Sequence, residues 1–360
     1  MTTLGADISD LTADARSAAA KGLSIVVPLY NEGAGLKRLH DNIAALATTL
    51  KDAYGLRCEV VYVNDGSADD TLEVAQALPA TTLDVSVISL SRNFGKEAAL
   101  MAGLDHAQRG GAVLFMDGDG QHPPALVETL VKHWIEGGYD VVYTAKAHRK
   151  NESAVLRLSV KGFYALMNFR ARHKIPEDAG DFRLLSPRAA AALRQLPERN
   201  RFFKGLSSWI GFRQMRVDYE PAPRAHGQSS FNPARLIGLS IDGLTSFSVA
   251  PLRLASLFGA AIAFAAFLFG LSILWETFID GKSVPGYASV IVGVMVLGGM
   301  QLVMIGVVGE YIGKIIYELK ARPVYFVAEK IVKRAGADSM QGSLPLPDQA
   351  RSPTSRTAAE

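Results

Sequence analysis

Residues 23–144 repeat one hydrophobic pattern. Short apolar runs rich in β-branched residues occupy 23–30, 58–63, 85–90, 112–116 and 140–144. Between them lie stretches whose apolar residues recur every three or four positions, as at Leu36, Leu39, Ile43, Leu46 and Leu50. The runs read as buried strands and the periodic stretches (36–50, a helix opened by Asp69-Asp70-Thr71, 97–108 and 126–135) as helices. Strand–helix alternation at this spacing predicts βαβ units and a mostly parallel sheet, an α/β fold.

Breakers follow each run, and they carry the candidate chemistry. The first strand ends in Tyr30, Asn31 and Glu32 after Pro28, the second in Asn64, Asp65 and Ser67, and the fourth in Asp117-Gly118-Asp119-Gly120-Gln121. An acidic pair in a turn is by itself an ordinary solvated feature. Three loops delivering polar groups to one sheet edge is different, because parallel sheets bind ligands at the carboxyl ends of their strands. Two carboxylates at i and i+2 suit a hard divalent cation that also touches a diphosphate. After the third strand, Arg92 and Lys96 stand at a helix start, a place that favours anions. Neither a phosphate-binding G-x-x-x-x-G-K-[ST] loop nor a G-x-G-x-x-G after the first strand occurs, which argues against those two nucleotide-binding classes.

Later the pattern changes. In 155–169 basic residues interleave with apolar ones, predicting an amphipathic helix that suits a membrane surface. Asp178 and Asp181 lie in a Gly-containing loop, Arg201 precedes an aromatic stretch, and Arg224 to Ser230 reads as a flexible closing loop. Residues 254–275 and 287–309 then carry no charge, each long enough to cross a hydrocarbon core of about 30 Å. Trp275, Tyr287 and Tyr311 flank them as interfacial aromatics do. Gly259, Ala263 and Gly306 are candidates for close helix packing. Basic residues outside the pair (Arg235, Arg253, Lys314, Lys320, Arg322) put both termini in the cytoplasm and the short hairpin across the membrane. Residues 1–22 lack an apolar core of the signal-peptide kind.

The totals add little. The chain has 360 residues, a net charge of +3 that is too mild to argue for nucleic acid, and 49% hydrophobic residues. Its single cysteine, Cys58, forms no internal disulfide and reads as a core thiol.

Six motifs in order (Pro28-Leu-Tyr-Asn-Glu32, Val63-Asn-Asp-Gly-Ser67, Ser91-Arg-Asn-Phe-Gly-Lys-Glu97, Met116-Asp-Gly-Asp119, Asp178-Ala-Gly-Asp-Phe-Arg-Leu184 and Gly309-Glu-Tyr-Ile-Gly-Lys314) resemble the membrane-bound polyprenyl-phosphate glycosyltransferases of glycosyltransferase family 2. The resemblance, to bactoprenol glucosyltransferases and dolichol-phosphate-mannose-type enzymes, spans 23–327. It implies a GT-A type, Rossmann-like nucleotide-sugar domain followed by two transmembrane helices. It also implies a nucleotide-sugar donor (UDP-linked in the preferred reading), Mg²⁺ or Mn²⁺, and a polyprenyl (undecaprenyl) phosphate acceptor. The expected product is a sugar for cell-envelope glycan modification, and the expected assembly a homo-oligomer, a tetramer.

Carried onto this sequence, the resemblance assigns Pro28, Tyr30, Asn31, Glu32 and Asp65 to base and ribose, and Arg92 and Lys96 to phosphate or sugar. It assigns Asp117, Asp119 and Gln121 to the metal, Asp178 and Asp181 (with Asp119) to catalysis, and Arg201, Arg224 and Ser229 to the acceptor phosphate. Two departures stand out: His122 where relatives commonly carry an acid, and Gly-Gln-Ser-Ser after Arg224 where relatives often carry a lysine. The expected layout is a leader at 1–21, a cytoplasmic catalytic domain at 22–230 and a juxtamembrane amphipathic segment at 231–250. Two membrane helices follow at 251–312, then a cytoplasmic amphipathic segment at 313–335 and a disordered tail at 336–360. A processive polysaccharide synthase, or a non-catalytic nucleotide-sugar-binding membrane scaffold, is the alternative reading.

Overall fold

The computed structural model describes residues 22–108, 111–120, 122–146, 179–196, 198, 203–219, 250–279 and 286–336. Five expected site residues (Gln121, Asp178, Arg201, Arg224 and Ser229) lie outside these, as do the expected amphipathic helix at 155–169 and most of the leader, juxtamembrane segment, hairpin and tail.

Strand β1 (Leu23–Leu29) is the middle of the sheet. It pairs in parallel with β2 (Cys58–Asn64) on one side and with β4 (Ala112–Phe115) on the other. β3 (Asp84–Leu90) continues the sheet beyond β2, also in parallel. Side chains alternate between the faces of such strands. Ile25, Val27 and Leu29 accordingly enter one core layer, and Val26 with Val61, Val63 and Phe115 enters the other. The first layer is closed by α1 (Gly33–Tyr54), whose buried stripe is the predicted one of Leu36, Leu39, Ile43, Leu46 and Leu50. α4 (Pro124–Ile135) packs beside it through Val127, Leu130, Val131 and Trp134. The second layer is closed by α3 (Lys96–His106), with every residue from Ala98 to Leu104 buried. Its Gly103 faces Val26, and a methyl there would fall 2.1 Å from Val26 Cγ1. A short helix, α2 (Thr71–Ala77), follows β2. Cys58 is buried in the first layer, where burial pushes its thiol up to about 12, as expected of an inert core cysteine.

Beyond β4 the simple alternation stops. β5 (Val141–Lys146) does not pair with β4. β6 (Ala179–Leu185) lies between them, antiparallel to both, with Phe115 and Tyr143 each opposite Arg183. The 178–183 stretch, expected as a loop, is therefore largely a strand. α5 (Pro187–Arg194) follows, its first turn capped by Ser186, whose hydroxyl accepts the Ala189 N–H. α6 (Phe203–Trp209) and β7 (Gln214–Tyr219, parallel to β5) complete this side.

Two long apolar helices come next, α7 (Ala250–Phe278) and α8 (Tyr287–Leu319). Their apolar windows, Pro251–Ile273 and Val290–Leu319, have mean hydropathies of 2.2 and 2.4 and no buried residue. Phe264, Phe267, Val294, Met295 and Leu302 are all exposed, so these are not core helices of the sheet domain. A helix apolar on all faces suits a bilayer, where its backbone groups are satisfied internally. Of the expected packing glycines, Gly259 stands against Met304, 3.2 Å from its Cε, whereas Gly306 has open space around it. At about 1.5 Å per residue, the 33 residues of α8 reach about 50 Å, well beyond a hydrocarbon core of about 30 Å.

After α8 the chain returns to the sheet. β8 (Val327–Lys333), within the stretch expected as an amphipathic segment, pairs antiparallel with β3, and the final order is β7-β5-β6-β4-β1-β2-β3-β8. Lys333 holds the carbonyls of Gln76 and Leu78, and Tyr325 donates to Asp105 at 2.9 Å.

Candidate functional site

The carboxyl ends of β1 to β4 meet at one mouth. Asn31 adopts a left-handed φ of 56°, which turns the chain after β1. Its N–H donates to Ser67 Oγ at 3.0 Å and its Oδ1 accepts the Ala68 N–H at 2.9 Å, joining the first two loops. The Glu32 N–H donates to Thr71 Oγ1. Asp65 joins the second and third loops: its carboxylate oxygens accept the N–H groups of Phe94 (2.7 Å) and Gly95 (2.9 Å). Gly66, at φ 64°, allows that approach, since a Cβ there would lie 2.5 Å from Asn93 N. The Asp-Gly-Ser turn thus serves first to shape the loop that carries Lys96.

Pro28 lies inside β1 opposite Val63, its carbonyl beside Gly118, so it sits beneath the mouth. Tyr30 is half exposed. The Arg92 guanidinium lies 4.2 Å over the Phe94 ring and donates to the Asn93 carbonyl.

β6 changes this mouth. Because it runs against β4, its first residues come to the carboxyl end of β4. Continuing the Phe115↔Arg183 register by two residues sets Asp181 across from Asp117. Lys96 bridges them, with Nζ 2.7 Å from Asp117 Oδ1 and 2.6 Å from Asp181 Oδ2. Burial works against the Lys96 ammonium, but the carboxylates of Asp181 and Asp117 outweigh it and raise its pKa. For Asp117, burial is likewise overcome, by His122 and Lys96, and its carboxyl stays well below the usual range. Of those two partners Lys96 is the shorter contact, since His122 Nε2 stands 3.8 Å from Asp117 Oδ2.

Lys204, on α6, is a site residue that sequence reasoning passed over. Its Nζ is 3.5 Å from Asp181 Oδ1, and with Lys96 it keeps Asp181 low against the opposing effect of burial. Two buried anchors place it: Arg183 donates to Ser207 Oγ, and Glu97 accepts the Phe203 N–H at 3.0 Å. Burial first, then the nearby Asp181 carboxylate, pushes the Glu97 carboxyl up to about 7. Nothing in the sequence marked Lys204, because its neighbours are assembled by β6 and α3 rather than by adjacent residues.

On the other wall, Glu32 is raised by burial and by the negative charges of Asp119, Asp69 and Asp117. His122 stacks on Phe182 with ring centroids 4.2 Å apart and planes 10° apart, and Tyr219 lies 5.7 Å away. Among the described residues, no group of three or more His, Cys, Asp or Glu side chains is arranged to hold a metal ion.

Residues 24–194 match the family described as Glycosyl transferase family 2. An uncharacterized glycosyltransferase of Synechocystis sp. is 42% identical over 307 residues, covering 85% of this chain and 95% of that protein. The chain belongs to glycosyltransferase family 2. This family 2 glycosyltransferase is also 40% identical to the SfII prophage-derived bactoprenol glucosyl transferase of Shigella flexneri over 308 residues, 85% of the chain and 97% of that protein. A prophage bactoprenol glucosyl transferase homolog of Escherichia coli K12 is 38% identical over 305 residues, 85% and 98%. The expected enzyme class and the mixed α/β, GT-A type core with two long apolar C-terminal helices are thus borne out.

Proposed function

We propose that this glycosyltransferase moves a sugar from a nucleotide-sugar, UDP-linked in the preferred reading, to polyprenyl (undecaprenyl) phosphate at the cytoplasmic face of the membrane. The observation that carries the reading is the joining of two features in one chain. An acidic mouth bridged by Lys96 and Lys204 lies at the strand ends, and a pair of apolar helices leaves and rejoins the same sheet. A lipid acceptor cannot leave the bilayer, and the helices keep the mouth beside it. The names of the bactoprenol glucosyl transferase relatives support the same acceptor class.

The donor set fits a divalent cation that arrives with a diphosphate. Asp117 and Asp119 are hard oxygen donors, and the upward shift of Glu32 reports crowded negative charge beside them. Asp117 and Asp119, with Gln121, would hold Mg²⁺ or Mn²⁺ against the diphosphate. When bound, the cation neutralises charge that develops on the leaving group. The acceptor phosphate oxygen attacks the anomeric carbon as the bond to the nucleoside diphosphate breaks, with inversion. A phosphate monoester carries about −1.5 to −2 charges at pH 7 and needs no strong base. Asp181 fits a positioning role, since two ammonium groups hold it ionised and occupied. Lys96 and Lys204 supply positive charge between donor and acceptor phosphates, with Arg201, Arg224 and Ser229 on the acceptor side. Tyr30, Asn31, Glu32 and Asp65 line the base and ribose end.

Asp119→Asn keeps the shape of the loop and removes its charge. We expect transfer to fall by about 10²-fold or more, in the range of a lost electrostatic stabiliser, and chelator to abolish wild-type transfer. Near-normal turnover of the folded variant would remove the metal–diphosphate assignment.

A further inference from the structure

We propose that His122 is a positioning residue that fixes the Asp117 carboxylate for the donor diphosphate. This rests on the donor-site reading above and adds a residue to it. Asp117 is approached from two sides: Oδ1 by Lys96 at 2.7 Å, and Oδ2 by His122 Nε2 at 3.8 Å. Both partners reach from Asp117 to adjacent residues of β6. Lys96 ends on Asp181, and His122 ends on Phe182. The β4 loop is thus held to β6 by one polar and one aromatic contact, side by side.

The imidazole is well placed for this. Its side chain is 7% exposed and its ring is fixed by the Phe182 stack, with Tyr219 at its flank. The other ring nitrogen, Nδ1, is buried and has no hydrogen-bond partner. Neutral imidazole has one N–H and one lone pair, and only a proton on Nε2 gives Asp117 a donor. The ring therefore has one polar partner, and that partner is the carboxylate. A carboxylate at position 122, the residue type relatives commonly carry, would instead set a like charge near Asp117. The chemistry of this chain turns that contact from repulsive to attractive.

Two variants separate the polar role from the packing role. His122→Phe keeps a ring to stack on Phe182 and removes the donor. His122→Gln removes the ring and keeps an N–H at similar reach. The readout is Mn²⁺-dependent binding of UDP, or of GDP if the wild type prefers it, by calorimetry on the full-length protein in detergent, with no turnover involved. Outer partners of metal-holding groups typically affect affinity by about 10–100-fold, so His122→Phe is expected to weaken nucleotide binding by about 10-fold or more. His122→Gln is expected to stay within about 3-fold of wild type, a range well inside that effect. The thermal midpoint of the metal-free protein is read beside it, to show that the variants fold. Should His122→Phe fail to fold, His122→Gln carries the test alone, and a 10-fold loss there counts against the proposal. Wild-type binding by His122→Phe, or equal loss by both variants, overturns it and leaves His122 as packing. A wild type that binds neither nucleotide with Mn²⁺ overturns the donor-site reading and this proposal with it.

Discussion

At Lys96 one ammonium meets two carboxylates at 2.7 and 2.6 Å, and those carboxylates come from strands that run in opposite directions. The contact neutralises charge that would otherwise repel across the mouth. It also means that a bound donor must compete with, or share, Lys96. Beside it, Glu97 differs in kind. Burial and Asp181 raise its carboxyl from an ordinary 4.5 to about 7, while its oxygen accepts the Phe203 N–H that positions α6. A carboxyl raised on folding favours the protonated form in the native state. Its contribution to stability is complete below about pH 4.5 and is lost as pH rises through about 7. Glu97→Gln keeps the acceptor and cannot ionise. Thermal midpoints measured from pH 5 to 8, roughly the window of that titration, should fall more steeply for wild type than for Glu97→Gln. Parallel profiles would show that Glu97 does not titrate there.

Among the elements, α3 and β1 are joined through Gly103 and Val26. Alanine favours a helix over glycine by about 1 kcal/mol, yet a methyl at 103 would sit 2.1 Å from Val26 Cγ1 in a close-packed layer. Overpacking of that kind costs about 1–3 kcal/mol and is expected to win. Gly103→Ala should therefore lower the unfolding midpoint, and an unchanged or raised midpoint would show that the layer yields. The first four strands were legible because each is an apolar run closed by breakers, and α1 because its stripe is regular. β6 was not: Ala-Gly-Asp-Phe-Arg reads as a loop until β4 and β5 supply ladders on both sides. β8 was hidden similarly, as a charged strand on the sheet edge following a membrane helix. The site divides along the same line. Asp117, Asp119, Lys96 and Asp181 were legible one by one as polar residues after strands or in a Gly-containing stretch. Their joining was not, since it depends on the antiparallel insertion of β6. Lys204 and the partners of His122 stayed out of sight for the same reason.

Across the whole molecule, the chain leaves the sheet after β7, runs through α7 and α8, and rejoins it at β8. Both helices are therefore anchored to one domain, which requires the two outer ends of a spanning pair to lie on one side. Basic residues flanking the pair, Arg253 and Lys314 to Arg322, favour the cytoplasmic side. A reporter inserted at Gly281 should read as non-cytoplasmic, and a cytoplasmic signal would overturn that topology. β8 ties the pair to the donor mouth as well. The Ser91 N–H donates to the Phe326 carbonyl, and Phe326 lies 6.3 Å from Phe94, whose own N–H is held by Asp65. The membrane anchor and the donor loops thus share one edge of the sheet. The most direct test of the account is product formation. Membranes carrying the chain are supplied with polyprenyl phosphate and a panel of radiolabelled nucleotide-sugars, and the lipid is extracted. The account predicts label in the lipid fraction from one donor, dependent on the acceptor and on divalent metal and lost with Asp119→Asn. Label that forms without acceptor, or that appears only in a growing polysaccharide, would contradict it.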